Sequence, residues 1–293
     1  MKSNYVTLVI LSALICGLLV PAFRVFEPFL VILLALLIWG ASLNIEPKEM
    51  LKAAKKPYHH ASMLLICFVV LPVISLGIVS RLSLPPEIAA GYVLAAMAPI
   101  AVATPFYTTL VKGDTALAMA FTGLTLIAAP IALPIMSYLL LRTVITVEIL
   151  TMLKLLIGLI FLPLIVAFFT RKIEALRKSA GHISLPVLFV LLATLIAMNS
   201  DAIFNAEFSK TLLLIGFIQP LLNVTIAYAV AYSWSTREKI PFIFGLTIRN
   251  MGLIMALSVL NFGAAAAIPG AFIVLAHIIF AIAFLLFFGQ NKA

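Results

Sequence analysis

Charge is scarce in this chain: 19 Lys and Arg and 10 Asp and Glu make up only 10% of its 293 residues, while 65% are hydrophobic. Soluble domains carry about a quarter charged residues, so a water-soluble globule is excluded and the apolar excess reads as a polytopic membrane protein. Cysteine is scarcer still. Cys16 and Cys67 both fall inside apolar runs, without a CxxC pair or a His at ligand spacing, so neither a disulfide framework nor a metal site is expected. Carboxylates stay at span ends and in loops: Glu27, Glu46, Glu49, Glu87, Asp114, Glu148, Glu174, Asp201, Glu207 and Glu238. That leaves no paired acid and base. A phosphate-cradling glycine loop and a Ser/His/Asp set on an elbow are missing too, so no enzyme is expected. Linkers, low-complexity runs and a soluble appendage are likewise missing. The first apolar run has only Lys2 ahead of it and no small-residue cleavage site, so it is expected to be retained as a span and not removed as a signal peptide.

What is present is a succession of apolar runs of about 20 residues, the length that crosses a bilayer as a helix. They are far longer than the alternating strands of a membrane barrel. Ten spans are predicted, near 5–22, 27–44, 60–80, 86–111, 115–141, 146–169, 182–200, 211–234, 240–262 and 266–289. An even number puts both termini on one side. That side collects Lys2, Lys48, Lys52, Lys55, Lys56, Lys112, Arg171, Lys172, Arg177, Lys178, Arg237, Lys239 and Lys292, against Arg24, Arg81, Arg142 and Lys210 on the other. The positive-inside rule therefore predicts cytoplasmic termini in a cell membrane. The net charge of +9 is then topology and contact with anionic headgroups, not a nucleic-acid footprint. Lys154, early in the sixth span, is expected to snorkel to the interface.

Five spans in each half (residues 1–141 and 142–293) force the second half to enter the membrane inverted. Inverted repeats are a common transporter plan, with the site at the midplane between discontinuous helices. Interruptions do occur at matching places. The fourth span carries APIAVATPFYTTL, where Pro99 and Pro105 cannot both sit in an unbroken helix. The ninth carries GLTIRNMG, where Gly245, Thr247, Asn250 and Gly252 are poor helix formers. In the middle of that stretch stands Arg249, a permanent cation whose place at a helix centre costs about 2.5–3.5 kcal/mol on insertion scales.

Four blocks in this order resemble the bile acid:sodium symporter family: WGASLNIEPKEMLKAAKKP, MAPIAVATPFYTTLVKGDTALAMAFTGLTLIAAPIALPI, RNMGLIMAL and AIPGAFIVLAHIIF. The resemblance implies an all-α fold of ten transmembrane helices in two inverted five-helix repeats, a panel and a core, with discontinuous helices four and nine crossing beside the substrate. It implies that Asn250 contacts substrate, that Thr104 marks the fourth-helix break, that Thr122 and Thr125 serve sodium, and that His277 lies near the pocket. Thr108, Asn223 and Arg249 complete the expected substrate-side set, and Thr104, Thr122 and Thr125 the residual sodium candidates. Gln219 and Asn223 are expected to face the core, where interhelical hydrogen bonding is their default role.

Departures from the family pattern are pointed. Sodium-dependent members carry Glu where Gly245 stands, Gln at Arg249, Asn at Pro105 and Gln at Cys67. A sodium ion wants several hard oxygen ligands, and a guanidinium about 4 Å away would oppose it by about 4 kcal/mol at an effective dielectric near 20. Three roles stay open for Arg249: replacing sodium's charge at the crossing, binding an anion through its bidentate fork, or pairing with backbone carbonyls for structure alone. The expected function is alternating-access transport of a small or amphipathic organic anion, with sodium coupling lost or altered. A sodium symporter using hydroxyl and carbonyl ligands, and a membrane sensor that binds without transporting, are the competing readings. No cofactor is expected, sodium is left open, and a monomer in the bilayer suffices.

Overall fold

In lipid a backbone N–H or C=O finds no water, so it is satisfied within its own helix. The computed structural model describes residues 3–43, 56–200 and 209–290, and among these the chain is helical, without a strand. The loop charges Lys2, Glu46, Lys48, Glu49, Lys52, Lys55, Asp201, Glu207 and Lys292, and residues 44–55 of the WGASLNIEPKEMLKAAKKP block, lie outside the described residues.

The helices are α1 (Ser3–Leu19), α2 (Leu30–Ser42, entered through a 3-10 segment), α3 (Pro57–Val79), α4 (Pro86–Ala96), α5 (Thr104–Leu110), α6 (Thr115–Leu141), α7 (Ile149–Thr170), α8 (Glu174–Met198), α9 (Ser209–Val230), α10 (Thr236–Thr247), α11 (Met251–Phe262) and α12 (Ile268–Gln290). Among the described residues six stretches are long and apolar enough to cross a membrane unaided, and α8, bent by 43°, would make a seventh. In α3 and α7 a π turn precedes Pro72 and Pro163. The widened turn fits a residue that has no N–H to donate and crowds the carbonyl one turn back.

Two pairs of short helices differ from the rest. At about 1.5 Å per residue the 11 residues of α4 reach about 16 Å, roughly half of a hydrocarbon core about 30 Å thick. α5, with 7 residues, is shorter still, and α10 and α11, with 12 each, are about as long as α4.

The helices fall into two packed groups. In one, α8 packs on α1 and α2, and α2 on α7. In the other, α9 packs on α10 and α12, α5 and α10 on α6, and α4 on α3, α11 and α12. Contacts of α6 with α7 and of α11 with α2 and α8 join them.

At one end of the second group, charge holds three chain segments together. Lys56, just before α3, donates to Glu238 Oε1 at 2.8 Å and to Asp114 Oδ2 at 3.4 Å. Glu238 closes a capping box with Ser235 at the start of α10, and Asp114 caps α6 through the Leu117 N–H. The Asp114 N–H donates in turn to Arg237 O at 2.8 Å. Beside them the His59 ring lies 3.8 Å from Trp234.

Candidate functional site

Between α4 and α5 the chain is unwound over residues 97–103, and between α10 and α11 over 248–250. Unwound backbone inside a membrane needs partners, and here the two stretches serve each other. They run antiparallel: the Ala101 N–H donates to Ile248 O at 3.1 Å and the Asn250 N–H to Pro99 O at 2.8 Å, a bridge that pairs Ile100 with Arg249. The Ile100 N–H is taken up by Thr125 Oγ1 at 3.2 Å. Two interrupted helices are thereby clasped through their breaks.

Where the breaks fall is local chemistry. Pro99 lies within the first interruption, while Pro105 occupies the opening turn of α5, where no amide donor is missed. Gly245 and Thr247 stand inside the last turn of α10, and unwinding begins at Ile248. A Cβ on Gly245 would meet Ile100 Cδ1 at 2.9 Å, so glycine lets the two breaks approach. Asn250 caps α11, its Oδ1 accepting from the Leu253 N–H at 3.2 Å.

Arg249 is only 3% exposed. Its Nε donates to Ala98 O at 2.5 Å and its Nη2 to Ala96 O at 3.3 Å. Ala96 ends α4 and Ala98 lies in the unwound stretch just beyond it, so these carbonyls lack intrahelical donors and stand at the negative end of the helix dipole. The Cys67 thiol lies against the same guanidinium. Nη1 has no hydrogen-bond partner among the described residues. The cation thus caps a helix end with two of its nitrogens and keeps one in reserve.

A cavity of about 140 Å³ is lined by Arg249, Asn250 and His277, by residues 101–103 and by the start of α11. Its opposite wall is apolar and comes from the first helix group: Ile10, Leu37, Leu188 and Leu192. His277 is buried, and its Nε2 has no partner among the described residues. The first residues of α11 present the positive end of a 12-residue helix to this space. A guanidinium, a helix N-terminus and an imidazole converge, and no carboxylate lines the cavity.

The other expected residues stand apart from the cavity wall. Thr108 Oγ1 donates to Thr104 O at 2.8 Å, and Thr104 Oγ1 is buried without a partner among the described residues. The Asn223 Nδ2 donates to Leu246 O at 2.9 Å, a bond across to the end of α10, while its Oδ1 and the Gln219 Oε1 are buried without a partner among the described residues. Thr122 and Thr125 donate to Ala118 O and Phe121 O, each at 2.9 Å.

The hydroxyls expected to serve a cation are engaged as follows. Thr125 Oγ1 already accepts from Ile100 and donates to its own helix, Thr122 is tied to Ala118, and the Ala96 and Ala98 carbonyls are taken by Arg249. Thr104 Oγ1 has no partner among the described residues, and Thr122 Oγ1, which only donates, keeps its lone pairs free. No three His, Cys, Asp or Glu side chains come together as a metal would need among the described residues.

Sequence reading missed Tyr107, which lines the cavity and stacks on Phe244 at 5.9 Å. It sits in the APIAVATPFYTTL block, two residues beyond Pro105, but an aromatic in an apolar run reads first as packing. Ile10, Leu37, Leu188 and Leu192 had no signal at all, because their place depends on how the two helix groups meet.

Comparison with known proteins supplies the rest. A family model described as the Sodium Bile acid symporter family matches residues 31–206. An uncharacterised sodium-dependent transporter of Bacillus subtilis (strain 168), YocS, is 23% identical over 251 residues, covering 83% of this chain and 77% of the relative. The "Probable sodium/metabolite cotransporter BASS1, chloroplastic" of Arabidopsis thaliana is 25% identical over 169 residues, 56% of this chain and 42% of the relative. These are transporters and not enzymes. With more than half of its length matched by the family model, the chain is a multi-pass membrane protein that belongs to the sodium bile acid symporter family.

Proposed function

We propose that this protein is a secondary transporter that carries a small organic anion by alternating access, with the Arg249 guanidinium standing in for a coupling cation at the crossing. One observation carries the reading. Nε and Nη2 hold the carbonyl end of α4, as a bound cation would, while Nη1 is buried without a partner among the described residues, in a side chain that borders the cavity. Charge replacement and anion recognition are then two faces of one side chain. His277, Asn250 and the N-terminus of α11 favour the same anionic group.

The architecture we assign follows from counting. The six self-sufficient spans, α8 and α1 make eight, and the pairs α4/α5 and α10/α11 supply a ninth and tenth, each too short unless its halves cross together. Ten spans divide as 1–141 and 142–293 into two inverted repeats. The group of α1, α2, α7 and α8 then acts as a panel and the remaining helices as a core, with the cavity at their boundary. Both termini lie on the cytoplasmic side of a cell membrane.

The test is thermal stability of the purified protein against a panel of small organic anions, each in sodium and in potassium, followed by counterflow in vesicles. A ligand selective for the folded state raises its apparent stability by mass action. Equal stabilisation in both salts, with saturable counterflow, is expected. Stabilisation confined to sodium would refute the replacement of the ion by Arg249. It would favour the second reading, sodium symport, which the sodium-dependent naming of the Bacillus subtilis relative and the uncommitted Thr104 hydroxyl support. Binding without counterflow would leave a sensor.

A further inference from the structure

Away from the crossing, α2 and α7 enclose a long groove of about 670 Å³. Its walls are Val31, Ile32, Leu36 and Trp39 on one side and Leu162 and Val166 on the other, with Lys154 at one end. Ile32 and Leu162 are more than half exposed, so the groove opens outward from the bundle. Gly158 lies on its floor, where an added Cβ would meet nothing within 4 Å. The π turn at Ile157–Phe161 locally interrupts the regular face that α7 would otherwise set against α2.

Lys154 is the anomaly. It sits five residues into α7, about 8 Å from that helix's start. It is exposed, and it makes no hydrogen bond or ion pair among the described residues. The nearest carboxylate along the helix, Glu148, is bonded to the Thr151 hydroxyl instead. An ammonium at this depth is costly unless it reaches the headgroup level or meets a counter-charge. Snorkelling alone accounts for the lysine, but not for the open apolar groove that starts at its foot. From Lys154 to Val166 the groove follows α7 for about 18 Å, close to the roughly 15 Å that one leaflet contributes to a hydrocarbon core about 30 Å thick.

We propose that this groove is a binding site for one anionic phospholipid of the bilayer, its phosphate on the Lys154 Nζ and one acyl chain laid between α2 and α7 towards Trp39. Charge complementarity selects the occupant. The groove has an unmatched cation at one end and no acidic residue in its walls, so a net-negative headgroup is preferred over a zwitterionic one. A basic residue near the membrane surface favours an anionic lipid by about fivefold.

Trp39 reports on the site directly, since the chain has only one other tryptophan, Trp234. The protein is reconstituted in phosphatidylcholine vesicles containing a small fraction of phosphatidylglycerol, or of phosphatidylcholine, brominated in the distal half of the chain. The signal of the Trp39→Phe variant subtracts the Trp234 contribution. Quenching of Trp39 should reach half its maximum at about fivefold less brominated phosphatidylglycerol than brominated phosphatidylcholine. Lys154→Gln should abolish that preference and Lys154→Arg should keep it. Gly158→Leu, which fills the open floor, should reduce quenching by both lipids while leaving Lys154 in place. Equal quenching by the two lipids in the wild type would overturn the proposal, leaving ordinary boundary lipid. So would quenching by neither lipid, with cross-linking between copies along α2 and α7, because a second chain would then cover the groove.

Discussion

Two cations in this molecule are held in opposite ways. Lys56, at the helix ends, is met by two carboxylates, Glu238 at 2.8 Å and Asp114 at 3.4 Å, all of them partly in contact with solvent. Arg249, at the crossing, is buried and met by backbone carbonyls of α4, with no acidic partner. The difference is one of replaceability. Carboxylates are side chains that titrate and can be exchanged one at a time, and an ion pair near water contributes about 0–1 kcal/mol. Carbonyls at a helix end belong to the fold itself, and inside a membrane they must find a donor. The rim cluster therefore trims the stability of three packed ends, whereas Arg249 completes the backbone of the crossing.

The sharpest way to break this contrast is Arg249→Ala. It leaves the Ala96 and Ala98 carbonyls without donors, and each unsatisfied buried group costs about 1–3 kcal/mol. A loss of about 3 kcal/mol of stability is expected, with anion-induced stabilisation abolished, both read by thermal unfolding with and without ligand. Arg249→Lys keeps the charge but not the planar fork, so it should fall between. If the melting temperature and ligand response of Arg249→Ala match the wild type, the guanidinium holds neither the helix end nor the substrate.

A second change tests whether the guanidinium occupies an ion's place. Gly245→Glu adds a carboxylate beside the crossing, and the atoms it would displace, Ile100 Cδ1 and Met63 Cε, are the mobile tips of side chains. Alone, it should pair with Arg249 and leave behaviour indifferent to sodium. Combined with Arg249→Gln it should make stability sodium-dependent, by about 1.4 kcal/mol when sodium is tenfold above its dissociation constant. A double variant that responds equally to sodium and potassium would show that charge exchange at these two positions does not create a cation site.

The same contrast explains what could be read from the chain and what could not. Helicity, membrane residence and the weakness of the fourth and ninth spans follow from composition and from Pro99, Gly245, Asn250 and Gly252, because these act through local backbone preference. Arg249 was conspicuous for the same reason: a guanidinium in an apolar run demands a partner. Its partners were not legible, since Ala96 and Ala98 contribute only carbonyls, and every residue has one. Thr108 and Asn223 show the converse. Both stood in the expected substrate-side set, yet Thr108 is bonded within its own helix to Thr104 O, while Asn223 makes the interhelical bond expected of it by default, to Leu246 O. Tyr107, outside that set, lines the cavity.

Smaller effects belong to the rim. Lys56→Met or Glu238→Gln should lower stability by about 0.5–1 kcal/mol and leave sodium and ligand responses unchanged. High salt should shrink the difference from wild type, because partly exposed charges are screened. A loss as large as that of Arg249→Ala would mean that the helix ends, not the crossing, hold the second group together.

The smallest expected effect is on pH, and it separates the two cations most cleanly. The Glu238 carboxyl is held at about 2, below its ordinary 4.5, because the Lys56 ammonium and then the Ser235 hydroxyl hydrogen-bond its charged form. Lys56 is pushed above its ordinary 10.5 by that same bond to Glu238. A carboxyl lowered by folding contributes stability that is complete above 4.5 and fades as the pH falls towards 2. A lysine raised by folding keeps its share below 10.5 and loses it only in stronger alkali. The pair is thus intact throughout the neutral range. A modest decline is expected below about pH 4.5, and Glu238→Gln should remove that part of it, as read from melting temperatures across an acid series. The carbonyl partners of Arg249 do not titrate, so the hold of Arg249 on the end of α4 should not follow the same limb. An acid profile identical in wild type and Glu238→Gln would show that the rim pair contributes nothing to folding.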